Sequence, residues 1–201
     1  MIDTKMRSTF QPIINHLAKP FVFMGISPNT VTAFAFCIGV LSGALVGFGL
    51  LIPAFALLWL SGLLDVLDGT VARLTKRSSP VGAYLDLILD RMVEAAVILG
   101  FAVFMPGIQL IGLIFLTSVI FNFTTFIVAG SLFPNKGEKS MHYDIGIAER
   151  TETFIVFSLM MLFPLQSPII LLAFSGVVFL TGFIRFFRTI RNYRDRQAPR
   201  R

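Results

Sequence analysis

Four aspartates dominate the chemistry this chain has to offer. They stand in Asp65-Val-Leu-Asp68-Gly69-Thr-Val-Ala72-Arg73 and, eight residues later, in Gly82-Ala-Tyr-Leu-Asp86-Leu-Ile-Leu-Asp90. On a helix, Asp65, Asp68 and Ala72 share one face, and Asp86 and Asp90 lie one turn apart on the next helix. The link from Leu74 to Pro80 is short, so the two helices are expected to be adjacent and antiparallel, with the four carboxylates converging. Carboxylates so close repel one another, and a hard divalent cation with oxygen ligands relieves the repulsion. No Cys or His stands nearby, so magnesium, manganese or calcium suits the set better than zinc. Gly69, Ala72 and Gly82 would leave room for a ligand to reach the metal, and the planar fork of Arg73 suits a phosphate or diphosphate. Metal, space and arginine together point to phosphoryl chemistry. A purely structural alternative is a set of Asp–Arg pairs through Arg73 and Arg91. It sets two arginines against four aspartates and Glu94, and so does not balance.

These side chains must be positioned by elements that live in lipid. Of the 201 residues 55% are hydrophobic and only 14% charged, whereas soluble domains carry about a quarter charged residues. Mean hydropathy is +0.81. Residues 20–64, 95–135 and 153–184 contain no Asp, Glu, Lys or Arg. Each run is longer than the roughly 20 residues a spanning helix needs, so each must fold back. Turns are expected at Gly47-Phe48-Gly49, at Met105-Pro106-Gly107 and from Pro164 to Pro168. The pattern predicts an all-α integral membrane protein. Its six transmembrane helices fall roughly at 29–48, 51–76, 80–104, 108–133, 147–164 and 167–193. Helix is favoured over strand because lipid leaves unpaired backbone groups unsatisfied. A charged side chain at the centre of a spanning helix costs about 2.5–3.5 kcal/mol on insertion scales, which makes intramembrane acids functional candidates.

Basic residues set the orientation. Lys5, Arg7 and Lys19 precede the first span; Arg73, Lys76 and Arg77 follow the second; Lys136, Lys139 and Arg150 follow the fourth. Seven arginines from Arg185 to Arg201 close the chain, and the alternate turns carry no charge. The positive-inside rule then places both termini and the aspartates' side of the bundle in the cytoplasm. The same rule and attraction to anionic headgroups account for the net charge of +6. No nucleic-acid module accompanies the basic tail, so nucleic acid is not an expected partner. Residues 1–24 lack the apolar core of a cleavable signal. Phe10, Ile13, Ile14 and Leu17 recur at helical spacing instead, which predicts an amphipathic helix lying in the membrane interface and ended by Gly25 and Pro28. The single Cys37 is expected to be a small buried apolar residue. Gly39, Gly43 and Gly47 form two overlapping GxxxG steps that admit a close neighbour, either within the bundle or on a second protomer. The whole chain, 1–201, reads as one membrane domain: an interfacial helix over 1–24, a six-helix bundle over about 29–193 and a basic tail over 194–201.

Residues 65–90 match every fixed position of D-x2-D-G-x2-A-R-x8-G-x3-D-x3-D, eight identities at fixed spacing. In this the chain resembles the CDP-alcohol phosphotransferase family. The similarity extends to the six-helix layout and to Ser27-Pro28-Asn29-Thr30-Val31-Thr32 at the start of the first span. The resemblance implies a transferase of phospholipid biosynthesis. It would displace CMP from a CDP-linked lipid such as CDP-diacylglycerol by attack of an acceptor hydroxyl, using magnesium or manganese. It further implies that Asp65, Asp68 and Asp86 are metal ligands and that Asp90 is the general base and also a ligand. Asn29, Thr32, Gly69, Arg73 and Ser79 would contact the nucleotide or its diphosphate. A homodimer in the cell membrane is also implied, with the glycine stripe as candidate contact, and the membrane's own lipids are partners by default.

The signature does not identify the acceptor. Family members that use phosphorylated polyols are similar in having basic residues in the regions of Lys139, Arg150 and Arg185, and these would hold the acceptor phosphate. A phosphate dianion needs several cationic donors, so inositol phosphate is expected slightly ahead of glycerol phosphate. Serine or another small alcohol is the alternative within the same chemistry. Outside that chemistry stand a divalent-cation transporter and a silent helical scaffold. Transport sites favour the bilayer midplane and broken helices, and a scaffold has no use for four costly aspartates.

Overall fold

The computed structural model describes the backbone of residues 2–132 and 150–197, and the side chains of residues 11–132 and 151–193. Among the described residues the chain is wholly helical. The helices are α1 (Ile2–Phe23), α2 (Pro28–Gly47), α3 (Leu51–Leu74), α4 (Pro80–Phe104), α5 (Gln109–Leu132), α6 (Arg150–Leu162) and α7 (Ser167–Gln197). The turns fall where expected. Gly49 takes a φ of +74° between α2 and α3, a left-handed conformation open to glycine at little cost. Short 3₁₀ turns at Pro106–Ile108 and Pro164–Gln166 lead into α5 and α7. The expected start of the fifth span at residues 147–149 lies outside the described residues.

Among the described residues, four segments are long and apolar enough to cross a membrane: Pro28–Gly47, Leu51–Leu74, Pro106–Leu132 and Pro164–Tyr193. The chain is thus a membrane protein. Of the other two expected spans, α4 has 25 residues but carries Asp86, Asp90, Arg91 and Glu94, and α6 is described over 13 residues that begin where the described chain resumes.

The bundle is a ring. α2 packs on α3 and α4, α3 on α6, α6 on α7, α7 on α5, and α5 more loosely on α4. Its interior is aromatic: Phe115 stacks on Phe174 at 5.9 Å and meets Phe157 edge-on at 6.0 Å. Buried Leu58, Phe101 and Met160 belong to the same core. α1 lies against α3, burying Ala18 on Leu67 and Val71, with Ile14, Phe21 and Val22 beside them. The expected stripe is therefore split, because Ile14 turns toward α3 while Ile13 and Leu17 stay exposed. Cys37 is exposed, not buried as expected. It lies on the outer face of α2, opposite a seam of small residues that binds the helix inward.

One expectation about neighbours is corrected, and one left open is decided. α3 and α4 follow one another in the chain but scarcely touch, because α2 is wedged between them. The glycine stripe is what lets α2 sit there. A Cβ on Gly43 would come within 2.5 Å of the Ala96 carbonyl, and one on Gly39 within 2.6 Å of Val93. Backbone meets backbone along this seam, with Gly100 of α4 facing Gly43. The stripe is thus consumed inside the protomer, on α4, and is not a surface open to a second copy.

Candidate metal and nucleotide site

The gap between α3 and α4, floored by α2, gathers the acidic residues. Asp65 and Asp68 reach into it from α3 and Asp86 from α4. Each offers a carboxylate oxygen, and these oxygens lie within 4.8 Å of one another. All-oxygen donors at that separation fit one hard divalent cation or a close pair. Asp68 is buried, and Asp65 and Asp86 are half-buried. Asp90 lies one turn deeper on α4. With Asp65, Thr32 and Ser61 it lines a small cleft that is partly open to the outside. Ala35, Phe36, Leu89 and Val93 form its apolar side.

Local sequence accounts for how the helices present these groups. Ser27 and Ser79 each precede a proline and cap the next helix, accepting from the amides of Thr30 (3.2 Å) and Gly82 (3.0 Å). Proline suits the first helical position because that amide has no partner in any case. The N-termini of α2 and α4 are side by side, since a Cβ on Gly82 would lie 3.3 Å from Asn29 Oδ1 and 3.4 Å from Ser79 Oγ. Two helix N-termini bring positive dipole ends to one place, where an anion is favoured. Arg73 is exposed, one turn beyond Gly69, and donates to Thr70 Oγ1 at 2.8 Å. A Cβ at Gly69 would meet only Arg73 Nη1, at 3.4 Å, so open space adjoins the aspartates. Arg91 pairs with Glu94 on its own helix at 2.8 Å and lies 5.7 Å from the centre of the Phe123 ring.

The structure therefore brings together Asp65, Asp68, Asp86, Asp90 and Thr32, and beside them Asn29 and Ser79. Arg185 stands on the seam between α5 and α7. There Nη1 donates to the side-chain oxygen (2.9 Å) and the backbone carbonyl (3.3 Å) of Asn122, and the guanidinium lies 5.2 Å from the Phe126 ring centre. Lys139 and the side chain of Arg150 lie outside the described residues. Three site residues escaped the sequence reading. Ser61 is one turn before Asp65 and so was within reach of helical periodicity. Thr70 at i−3 from Arg73 was equally so. Asn122 pairs with a residue 63 positions away, and no local pattern announces that.

Residues 25–185 match the family model for CDP-alcohol phosphatidyltransferases. The chain belongs to that family. As a CDP-alcohol phosphatidyltransferase it is an enzyme of phospholipid synthesis, of a class that works with divalent cations, and its aspartate cluster has the donors to hold one. Inner membrane protein YnjF of Escherichia coli is 30% identical to it over 92% of this chain and 93% of its own length. Archaetidylinositol phosphate synthase of Pyrococcus horikoshii is 30% identical over 80% of this chain and 82% of its own. Phosphatidylinositol phosphate synthase of Mycobacterium tuberculosis shares the fold. Solved with CDP-DAG bound, it matches at a TM-score of 0.75 and 20% identity, covering 89% of this chain and 94% of that one. Solved with manganese and citrate, it matches at 0.74 and 20% identity, covering 88% of each.

Proposed function

We propose that this phosphatidyltransferase joins a CDP-linked lipid to a phosphorylated polyol, with inositol phosphate ahead of glycerol phosphate, and releases CMP. The carboxylate trio Asp65, Asp68 and Asp86, with oxygens within 4.8 Å, carries the chemistry. The acceptor is supported by relatives named for inositol phosphate products in both archaea and bacteria.

In the proposed mechanism Asp65, Asp68 and Asp86 hold magnesium or manganese, with Asp90 as a further ligand. When bound, the cation offsets negative charge on the diphosphate and makes CMP a better leaving group. The N-termini of α2 and α4, with Asn29 and Ser79, favour the nucleotide's phosphates. Gly69 and Arg73 complete that side, Arg73 as a planar donor, and Thr32 stands behind it, donating to Asp68. Asp90 takes the acceptor's hydroxyl proton as its oxygen bonds to the lipid-proximal phosphorus. The bond from that phosphorus to the CMP oxygen breaks, and CMP leaves with the bond's electrons. Lys139, Arg150 and Arg185 hold the acceptor phosphate.

The proposed setting is a multi-pass protein of the cell membrane. α4 and α6 span along with the four long apolar segments, and both termini and the site face the cytoplasm. α1 lies in the interface, its exposed Ile13, Leu17 and Phe23 toward lipid. The chain is taken as one domain over 1–201, and it works as a homodimer. An E. coli relative named as an inner membrane protein supports that location. The deciding experiment is CMP release from CDP-diacylglycerol by purified protein with magnesium and each of inositol phosphate, glycerol phosphate and serine. Transfer to serine alone would overturn the acceptor assignment.

A further inference from the structure

Thr32 sits on α2, the helix wedged between the two that carry the aspartates. Its hydroxyl oxygen reaches two acceptors: the Pro28 carbonyl on its own helix, 3.1 Å away, and Oδ2 of Asp68 on α3. A hydroxyl has one proton to donate. Hydrogen bonds to an ionised acceptor are roughly twice as strong as neutral ones. Thr32 and Asp68 are only 6% and 7% exposed, so water does little to weaken the bond. The hydroxyl therefore donates chiefly to Asp68, and the Pro28 carbonyl, the i−4 acceptor a helical threonine commonly uses, is its secondary partner.

The seam around this pair is tied by further hydrogen bonds. Ser61 donates to the Ala35 carbonyl at 2.7 Å and Ser42 to the Ala54 carbonyl at 2.7 Å. With Thr32–Asp68 these make three rungs that set α2 in register against α3. We propose that Thr32 is a positioning residue of the metal site. By donating to Oδ2 it fixes the plane of the Asp68 carboxylate, and so the direction from which that ligand meets the cation. This role rests on the cluster being a divalent-cation site, as proposed. Ligating carboxylates are themselves held by hydrogen bonds, and a carboxylate left unheld turns freely about its broad terminal torsion. Asp68 is the buried member of the trio and the one water is least able to orient. Thr32 would then act on the metal first and on the nucleotide only through it.

The test uses Mn²⁺ as probe on the full chain in detergent. Free Mn²⁺ is followed by electron paramagnetic resonance, and CDP binding is measured at limiting and saturating Mn²⁺. Thr32→Val keeps the shape without the hydroxyl and is expected to weaken Mn²⁺ binding about 10- to 100-fold. Thr32→Ser restores the donor and should return it to within about threefold of wild type, since one shared hydrogen bond is at stake. At saturating Mn²⁺, CDP affinity of Thr32→Val should recover to near wild type. Unchanged Mn²⁺ affinity overturns the proposal, as does a CDP defect that saturating Mn²⁺ does not relieve, since that marks a direct nucleotide contact. If the Val variant does not fold, Thr32→Ala supplies the same comparison. A wild-type protein with no Mn²⁺ site that Asp65→Asn abolishes would sink the cation site itself, and this role with it.

Discussion

At the scale of single residues, the division of labour among the aspartates is the part most open to measurement. Asp90 lines the cleft one turn deeper than Asp86, where a group that takes a proton from the acceptor belongs. Asp90→Asn should lower kcat by about 10²- to 10⁴-fold, the usual contribution of a general base, while CDP-lipid still binds. Asp65→Asn should lose both metal and nucleotide binding. Near wild-type turnover by Asp90→Asn, measured as CMP release, would remove Asp90 from the base role. Metal dependence is tested without mutation: excess EDTA should abolish CMP release, and added magnesium or manganese should restore it. Arg185 makes a third case. It is anchored to Asn122 and packed on Phe126, so the side chain is preorganised on the α5–α7 seam. If it holds the acceptor phosphate, Arg185→Gln should raise the acceptor KM at least tenfold and leave CDP-lipid affinity nearly unchanged. Equal changes in both would assign it a packing role.

The elements show why the aspartates stay apart yet converge. Were α3 and α4 packed directly together, their carboxylates would be crowded into a closed seam. With α2 between them the two acidic faces border an open gap, and small residues on α2 bring its backbone close to both. Gly43 is the tightest point, because a methyl there would press on the Ala96 carbonyl. Gly43→Ala should therefore cost about 1–3 kcal/mol, the range for overpacking a filled interior. It should also reduce CMP release, because α4 carries Asp86 and Asp90. Thermal unfolding in detergent measures the first effect. A melting temperature equal to wild type would mean that the α2–α4 seam is looser than its geometry. α1 braces the same machinery from outside, its Ala18 seated on Leu67 and Val71, which flank Asp68.

For the whole molecule, the ring of helices turns many large apolar side chains outward, with Phe34, Ile52, Leu110 and Ile169 all well exposed. In a bilayer these meet lipid or a second protomer. Because the Gly39-Gly43-Gly47 stripe faces α4, a homodimer must use another face. Mass measurement in mild detergent is expected to give a dimer for wild type and for Gly43→Ala alike. A variant that turned monomeric while remaining folded would return the stripe to the interface. The basic residues are clustered at the α3–α4 link and at both ends of the chain, so a cysteine placed at Arg77 should react with an impermeant thiol reagent only from the cytoplasmic side.

The reaction class was legible in the sequence because catalysis demands particular atoms at particular spacings, and a helix converts spacing into position by a local rule. Eight fixed identities over residues 65–90 thus carried the family, and the Pro and Gly turns marked the helix ends to within a few residues. The partners of those helices were not legible. Lipid is as apolar as leucine, so hydropathy does not distinguish a lipid-facing side from a packed one. That is why Cys37 turned out exposed and the glycine stripe turned inward to α4. It is also why the adjacency of α3 and α4, natural for a short link, gave way to a wedge by α2. Thr32 against Asp68 and Asn122 against Arg185 depend on contacts 36 and 63 residues apart. Only the tertiary packing of near-equivalent apolar faces decides such pairs, because each is selected by how backbones fit in three dimensions and not by any period along the chain.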